Sequence, residues 1–141
     1  MIIAFDLDGT LVQNVPFEAY ETDDIPILSN AAPIPFMVDY ARALEHFGAE
    51  IVVITGRHKR VNGATRSVLN RIGFGNVRLF ERESAIFDLQ RAVGEKTRAL
   101  LAVKPLYFVG DREDLDGAAA RAANVPFVHV DAIKEFRLVK V

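Results

Sequence analysis

The stretch Met1-Ile2-Ile3-Ala4-Phe5-Asp6-Leu7-Asp8-Gly9-Thr10-Leu11 decides how the rest of the chain is read. Five apolar residues bounded by a Gly-Thr pair have the length and the flanks of a buried strand that feeds a tight turn. Two carboxylates, two residues apart, then fall at the carboxyl end of that strand. In open α/β sheets this is the end at which ligands bind. A lone Asp in such a place is ordinarily a turn former. A pair of them, with Gly9 and Thr10 directly after, points instead to a working site.

Working outward, residues 11–35 are polar and carry Pro26, Pro33 and Pro35. They show no clear period, and a connection of that length is usually functional or disordered. The pattern predicts a helix over 35–47, stopped by Gly48, and a buried strand over 50–54 that ends in the turn Thr55-Gly56-Arg57. A second helix is expected over 63–72, a third strand over 77–80, and a helix over 84–102 interrupted near Gly94. A fourth strand over 105–109 runs into Gly110-Asp111. An alanine-rich helix over 114–123 stops at Asn124, a residue suited to a left-handed cap. A fifth strand over 126–130 precedes a short terminal helix or tail.

Strands alternating with helices predict parallel βαβ units. The fold class expected is therefore α/β, a three-layer Rossmann-like parallel sheet of about five strands with helices on both faces. Right-handed crossovers put every strand's carboxyl end on one edge. Topology alone then gathers Asp6, Asp8, Thr55, Arg57 and Asp111, which lie far apart in sequence.

With 141 residues, the chain has the length of one domain, 1–141, in which 11–35 forms a short loop or flap insert. A net charge of −2 gives no general basic footprint for nucleic acid. The absence of cysteine removes disulfides, thiolate metal sites and a Cys nucleophile. No apolar run is long enough to cross a bilayer, and no basic segment precedes the first strand. A cytoplasmic protein with no membrane partner is the expectation.

The motifs together resemble those of the haloacid dehalogenase superfamily of phosphohydrolases, over nearly the whole chain. Asp6-Leu7-Asp8-Gly9-Thr10 is similar to the first motif and the Thr55 turn to the second. Gly110-Asp111-Arg112-Glu113-Asp114-Leu115-Asp116 is similar to the fourth. Asp111 and Asp116 match the family's acidic spacing with four residues between, which Asp114 does not. The resemblance implies a phosphatase that uses a hard divalent cation, Mg²⁺, to offset repulsion between an anionic nucleophile and an anionic ester. It implies that Asp6 is both metal ligand and nucleophile, forming an aspartyl-phosphate. Asp8 would offer its backbone carbonyl to the metal and its side chain as general acid and base. Asp111 would bind the metal directly, and Asp116 would hold it through water or orient a neighbour. Thr55 and the Gly56 N–H would meet the phosphoryl oxygens. Arg57 would either reach the substrate or lie on the surface.

The family also uses a lysine. Lys96, placed at the start of a helix leading into the fourth strand, falls on the correct edge. Lys104, at the amino-terminal start of that strand, falls on the wrong one, and Lys59 is a remote third choice. His46 and His58 read as exposed and His129 as outward on a strand, all three structural. Phe17 and Tyr20 could line a substrate entrance. The insert is too short for a helical cap domain, so a minimal cap and an open site are expected. By family analogy, such enzymes act on extended substrates or use a second subunit of a homo-oligomer as lid. The phosphatase half of polynucleotide kinase-phosphatases is a similar minimal-cap arrangement. Nucleic-acid ends, nucleotides and sugar phosphates are the substrate classes left open. Two other readings stay beside the phosphatase: a phospho-acceptor or regulatory module, and a catalytically idle subunit of this fold. Against the phospho-acceptor, receiver domains carry their phosphoacceptor after a central strand, whereas Asp6 follows the first strand of the chain.

Overall fold

The strand β1 (Ile2–Phe5) is apolar throughout because both of its faces are covered. In the computed structural model, which describes residues 1–139, it is the central strand of a five-stranded parallel sheet of order β3-β2-β1-β4-β5. The other strands are β2 (Glu50–His58), β3 (Arg78–Arg82), β4 (Phe108–Gly110) and β5 (Phe127–His129). Side chains alternate across the pleat. Ile3, Phe5, Ile51 and Val53 pack on one face with Met37 and Ala41 of α3 (Pro35–His46) and Val68 and Leu69 of α4 (Asn62–Arg71). Ala4, Val52, Ile54 and Phe108 pack on the other with Ala99 and Leu100 of α5 (Leu89–Val103) and Ala119 and Ala120 of α6 (Ala118–Ala122). This is the three-layer α/β architecture expected.

Register places the site. Phe5 lies opposite Val53 on one side and Val109 on the other. The residues that follow, Asp6, then Thr55 and then Asp111, therefore leave the sheet on the same edge. That β1 is central as well as first removes the contrast with receiver domains drawn above. The strand order provides a better one, since those domains follow the order 2-1-3-4-5.

The insert is structured, contrary to its lack of period. It opens and closes as a pair: Val12 bridges Pro33, Gln13 N–H donates to Ala32 C=O, and Ile34 N–H donates to Leu11 C=O. Between these points lie two five-residue helices, α1 (Phe17–Glu21) and α2 (Ile25–Ser29). The second is capped by Asp24, whose side chain accepts from Ile27 N–H, and has Pro26 in its first turn. Ala19 and Leu28 bury themselves on Val61 and Ala64, a small core of their own. Five-residue helices are too short to show a hydrophobic period, so the packing, not the pattern, defines them.

Several boundaries differ from expectation, among them that of the fourth strand, which starts at Phe108 and not at residue 105. Thr55-Gly56-Arg57 continues β2 through a register shift between Ile54 and His58, so it is an irregular strand end and not a turn. Helix α5 starts at Leu89, because the Asp88 side chain caps it, and runs through Gly94 without a break. One interior Gly costs only about 1 kcal/mol, and the buried stripe Ala92, Lys96, Ala99, Leu100 and Val103 outweighs it. β3 extends two residues further than expected, to Arg82. Asn124 does take the left-handed conformation, with φ 58°. The last helix, α7 (Val130–Val139), follows β5 directly. No helix among the described residues is long and apolar enough to cross a membrane.

Candidate active site

The edge of the sheet carries a cavity of about 210 Å³ with Asp6, Asp8, Lys96 and Asp111 among its lining residues. Asp6 directly follows β1 and is almost wholly buried. Lys96 sits two turns inside α5, not at the helix start. Side chains on a helix lean toward its amino terminus, here the carboxyl edge of the sheet, and this brings the ammonium back to the site. Its Nζ lies 3.0 Å from Asp6 Oδ1 and 2.7 Å from Asp116 Oδ1. Burial works against the Lys96 charge, yet Asp6 and Asp116 more than offset it and hold the ammonium above its ordinary range. Burial raises the Asp6 carboxyl well above the usual carboxylate range. The charges of Asp116 and Asp111 add to the rise, and Lys96 opposes it.

Asp116 reaches the same point from a π-helical turn, Glu113–Gly117, a rare widening that recurs at functional sites. Its second oxygen accepts from Arg112 N–H at 3.3 Å. A Cβ on Gly110 would stand 2.5 Å from Asp116 Oδ2, so a glycine is what lets this carboxylate approach the end of β4. Asp111 is fixed through its backbone. His129 Nδ1 accepts from Asp131 N–H, which leaves the proton on Nε2 to donate to Asp111 C=O at 2.9 Å. Asp114 lies outside the site, exposed and paired with Arg112.

Oxygen atoms of Asp6, Asp111 and Asp116 all lie within 4.8 Å of one another. Asp111 Oδ1 is buried without any hydrogen-bond partner. A buried carboxylate oxygen with no donor is costly unless a cation meets it. An all-oxygen donor set suits a hard ion such as Mg²⁺. These residues therefore fit the metal that the sequence implies. The Asp8 side chain is not part of the cluster.

Asp8 is instead held by Arg57, whose side chain is 0 % exposed. Nε donates to Asp8 Oδ2 and Nη2 to Oδ1, both at 2.9 Å, and Nη1 donates to Leu28 C=O at 2.9 Å. Neither expected placement of Arg57 occurs. It is not on the surface and does not line the cavity, because the fork of a fully buried guanidinium is used up on one carboxylate and one carbonyl. Tyr20 lines the same cavity as Asp8. Burial, with the Asp8 charge, keeps its phenol protonated well above the ordinary range.

Thr55 is buried, and its hydroxyl accepts from Arg57 N–H at 3.1 Å. With Gly56 and Lys96 it lines a smaller pocket adjoining the main one. Gly56 has no positive φ, and nothing stands within 4 Å of where its Cβ would be. Gly56 is among the residues that line the cavity. Gly9 is different, with φ 80° and Asp111 Oδ2 only 2.1 Å from a Cβ placed there. His58 is buried, not exposed. It accepts from Arg60 N–H through Nδ1 and pairs with Glu83 C=O through Nε2. His46 is exposed and Lys104 caps α5 with φ 53°.

Phe17 and Tyr20 line the cavity entrance, joined by Phe87, whose ring stands edge-on to Phe17 with centroids 5.9 Å apart. Sequence reasoning missed Phe87, Arg82 and Arg112 on the wall. Arg82 could have been found, since it ends a strand on the ligand edge. The sequence pattern ends the third strand at residue 80, two residues short of Arg82.

No family model matches this sequence, and no curated protein does. Solved structures do match in shape. A chain of the Pnkp1/Rnl/Hen1 RNA repair complex superposes with a TM-score of 0.71 at 15 % identity, over 92 % of this chain and 42 % of that one. The class C acid phosphatase from Bacillus anthracis with tungstate bound gives 0.61 at 22 % identity, over 97 % and 61 %. The D,D-heptose 1,7-bisphosphate phosphatase from B. bronchiseptica, complexed with magnesium and phosphate, gives 0.58 at 15 %, over 99 % of both chains. The chain thus spans less than half of the repair-complex chain that it resembles. The fold is that of the haloacid dehalogenase-like phosphatases.

Proposed function

We propose that this protein is a Mg²⁺-dependent phosphomonoesterase that works through an aspartyl-phosphate on Asp6. One observation carries the reading: three carboxylates converge beside an open cavity, one of them with an unpartnered buried oxygen and the other two bonded to a buried lysine. Clustered buried carboxylates of this kind are unfavourable unless a cation is part of the design.

Asp6, Asp111 and Asp116 would hold the ion, which supplies charge neutralisation for the carboxylates and for the phosphoryl oxygens. Asp6 Oδ attacks phosphorus and the ester oxygen leaves, so a P–O bond to Asp6 forms as the bond to the alcohol breaks. Asp8 gives the leaving oxygen its proton, then takes one from the water that attacks the phosphoenzyme and releases phosphate. Arg57 fixes where Asp8 points. Lys96 keeps Asp6 in place and faces the transferring group, and Thr55 and Gly56 border it. The insert is too small to close the cavity, so the substrate enters from solvent. Nucleotides, nucleic-acid ends and sugar phosphates fit that access. The likeness to a chain of an RNA repair complex supports the second, although the net charge of −2 provides no broad basic track. A lid from a second copy belongs to the same proposal.

Release of p-nitrophenol from its phosphate with Mg²⁺, lost in Asp6→Asn, is the expected result. Stable phosphorylation of Asp6 without turnover would replace the enzyme by a phospho-acceptor. No reaction and no phosphorylation across a broad phosphoester screen would leave an idle subunit.

A further inference from the structure

Three basic side chains besides histidine are buried in the described residues: Arg57, Lys96 and Arg82. Arg57 is spent on Asp8, and Lys96 on Asp6 and Asp116. Arg82, only 4 % exposed, has no carboxylate at ion-pair distance among the described residues. Its Nε donates to Gly56 C=O at 3.0 Å and its Nη1 to Ser84 C=O. Two neutral carbonyls orient it and supply no counter-charge. Glu95 and Asp23 favour the charge from beyond ion-pair distance; one Glu95 oxygen accepts from Ser84 N–H and the other is buried without a hydrogen-bond partner. A buried, unpaired cation is expensive unless an anion arrives to meet it.

Its position says where that anion sits. Arg82 lines the main cavity and also a side pocket of about 190 Å³, and Phe17, Tyr20 and Phe87 line both. The side pocket holds a second cation, Arg60, paired with Asp23 at 2.7 Å. The reacting phosphoryl group belongs at the floor, against Asp6 and Lys96. Arg82 stands on the wall where the leaving group would exit, beside an apolar ring pair that suits a carbon skeleton.

We propose that Arg82 reads a second oxyanion on the leaving group, so that the preferred substrates are phosphomonoesters carrying a further phosphoryl or carboxylate group. This rests on the phosphatase reading above. A guanidinium-oxyanion contact made by a side chain that is itself buried is worth about tenfold to a hundredfold in affinity.

The test compares matched pairs. Adenosine 3′,5′-bisphosphate is measured against the 3′- and 5′-monophosphates, and phosphoserine against phosphoethanolamine, which lacks the carboxylate. The expected result is a tenfold or greater preference in kcat/KM for the doubly anionic member of one pair. The pair that shows it identifies the second anion. Arg82→Gln brings that ratio near one, and Arg82→Lys keeps part of it. Calorimetric binding of the same compounds to Asp6→Asn, which needs no turnover, judges Arg82 even if the chain hydrolyses nothing. Equal binding within both pairs would overturn the proposal without touching the phosphatase reading. An Arg82→Gln variant that weakens both members equally would also overturn it. If that variant does not fold, the wild-type ratios and the Asp6→Asn binding decide.

Discussion

Replacing Arg57 by Met tests whether the buried fork on Asp8 supports the molecule as well as the site. The substitution keeps much of the side-chain volume and removes three hydrogen bonds, two to Asp8 and one to Leu28 C=O. It leaves Asp8, 8 % exposed, as a carboxylate without its cation. Breaking a buried ion pair from one side costs about 3–5 kcal/mol. At roughly 3–4 °C per kcal/mol for a chain of this size, the melting temperature should fall by about 10–20 °C. This is a large part of the whole stability of a typical domain, about 5–15 kcal/mol. Urea denaturation of the wild type, Arg57→Met, Asp8→Asn and the double variant completes the cycle. The double variant carries no unpaired buried charge, so it should be more stable than Arg57→Met alone by about 1–3 kcal/mol. A single-variant cost under about 1 kcal/mol, or a double variant no better than the single, would refute the reasoning.

Millimolar Mg²⁺ should raise the melting temperature by mass action, by about 2.7 kcal/mol of stability at a hundred times Kd. Asp111→Asn should flatten that response, and a wild-type melt indifferent to Mg²⁺ would count against the carboxylate cluster as a metal site. Gly9→Ala should destabilise the protein by more than about 1 kcal/mol and blunt the Mg²⁺ response. Here φ is 80° and the added methyl would meet Asp111 Oδ2, so a melt with and without Mg²⁺ that matches wild type would contradict this geometry. Burial, reinforced by Arg60, lowers the proton affinity of His58 below its ordinary value of 6.5. The folded value lies below the unfolded one, so the stability that neutral His58 contributes is present above about pH 6.5. It is lost as pH falls through the folded value. His58→Asn, whose side-chain oxygen can still accept from Arg60 N–H, should flatten the melting profile between pH 7 and 5. Superimposable profiles would show that His58 does not titrate on unfolding.

The short apolar runs, their alternation and their Gly, Asn and Asp boundaries encode the strands, the parallel sheet and the edge that carries the cavity. These are local signals with periods of 2 and 3.6 residues, and they put Asp6, Asp8 and Asp111 on the one edge of the sheet where the structure has them, whereas Asp116 follows from the motif resemblance. They fail where packing overrides pattern: the helices hidden in 11–35, the unbroken α5 across Gly94, and the strand end that conceals Arg82. Which buried charges meet is not a local property. Arg57 reaches Asp8 across 49 residues and Lys96 reaches Asp6 across 90. Long flexible side chains look alike in sequence whether solvated or enclosed. Only the folded arrangement decides that Arg57 holds Asp8, that Lys96 bridges two carboxylates, and that Arg82 keeps an unpaired charge, because each depends on which surfaces exclude water when the layers close.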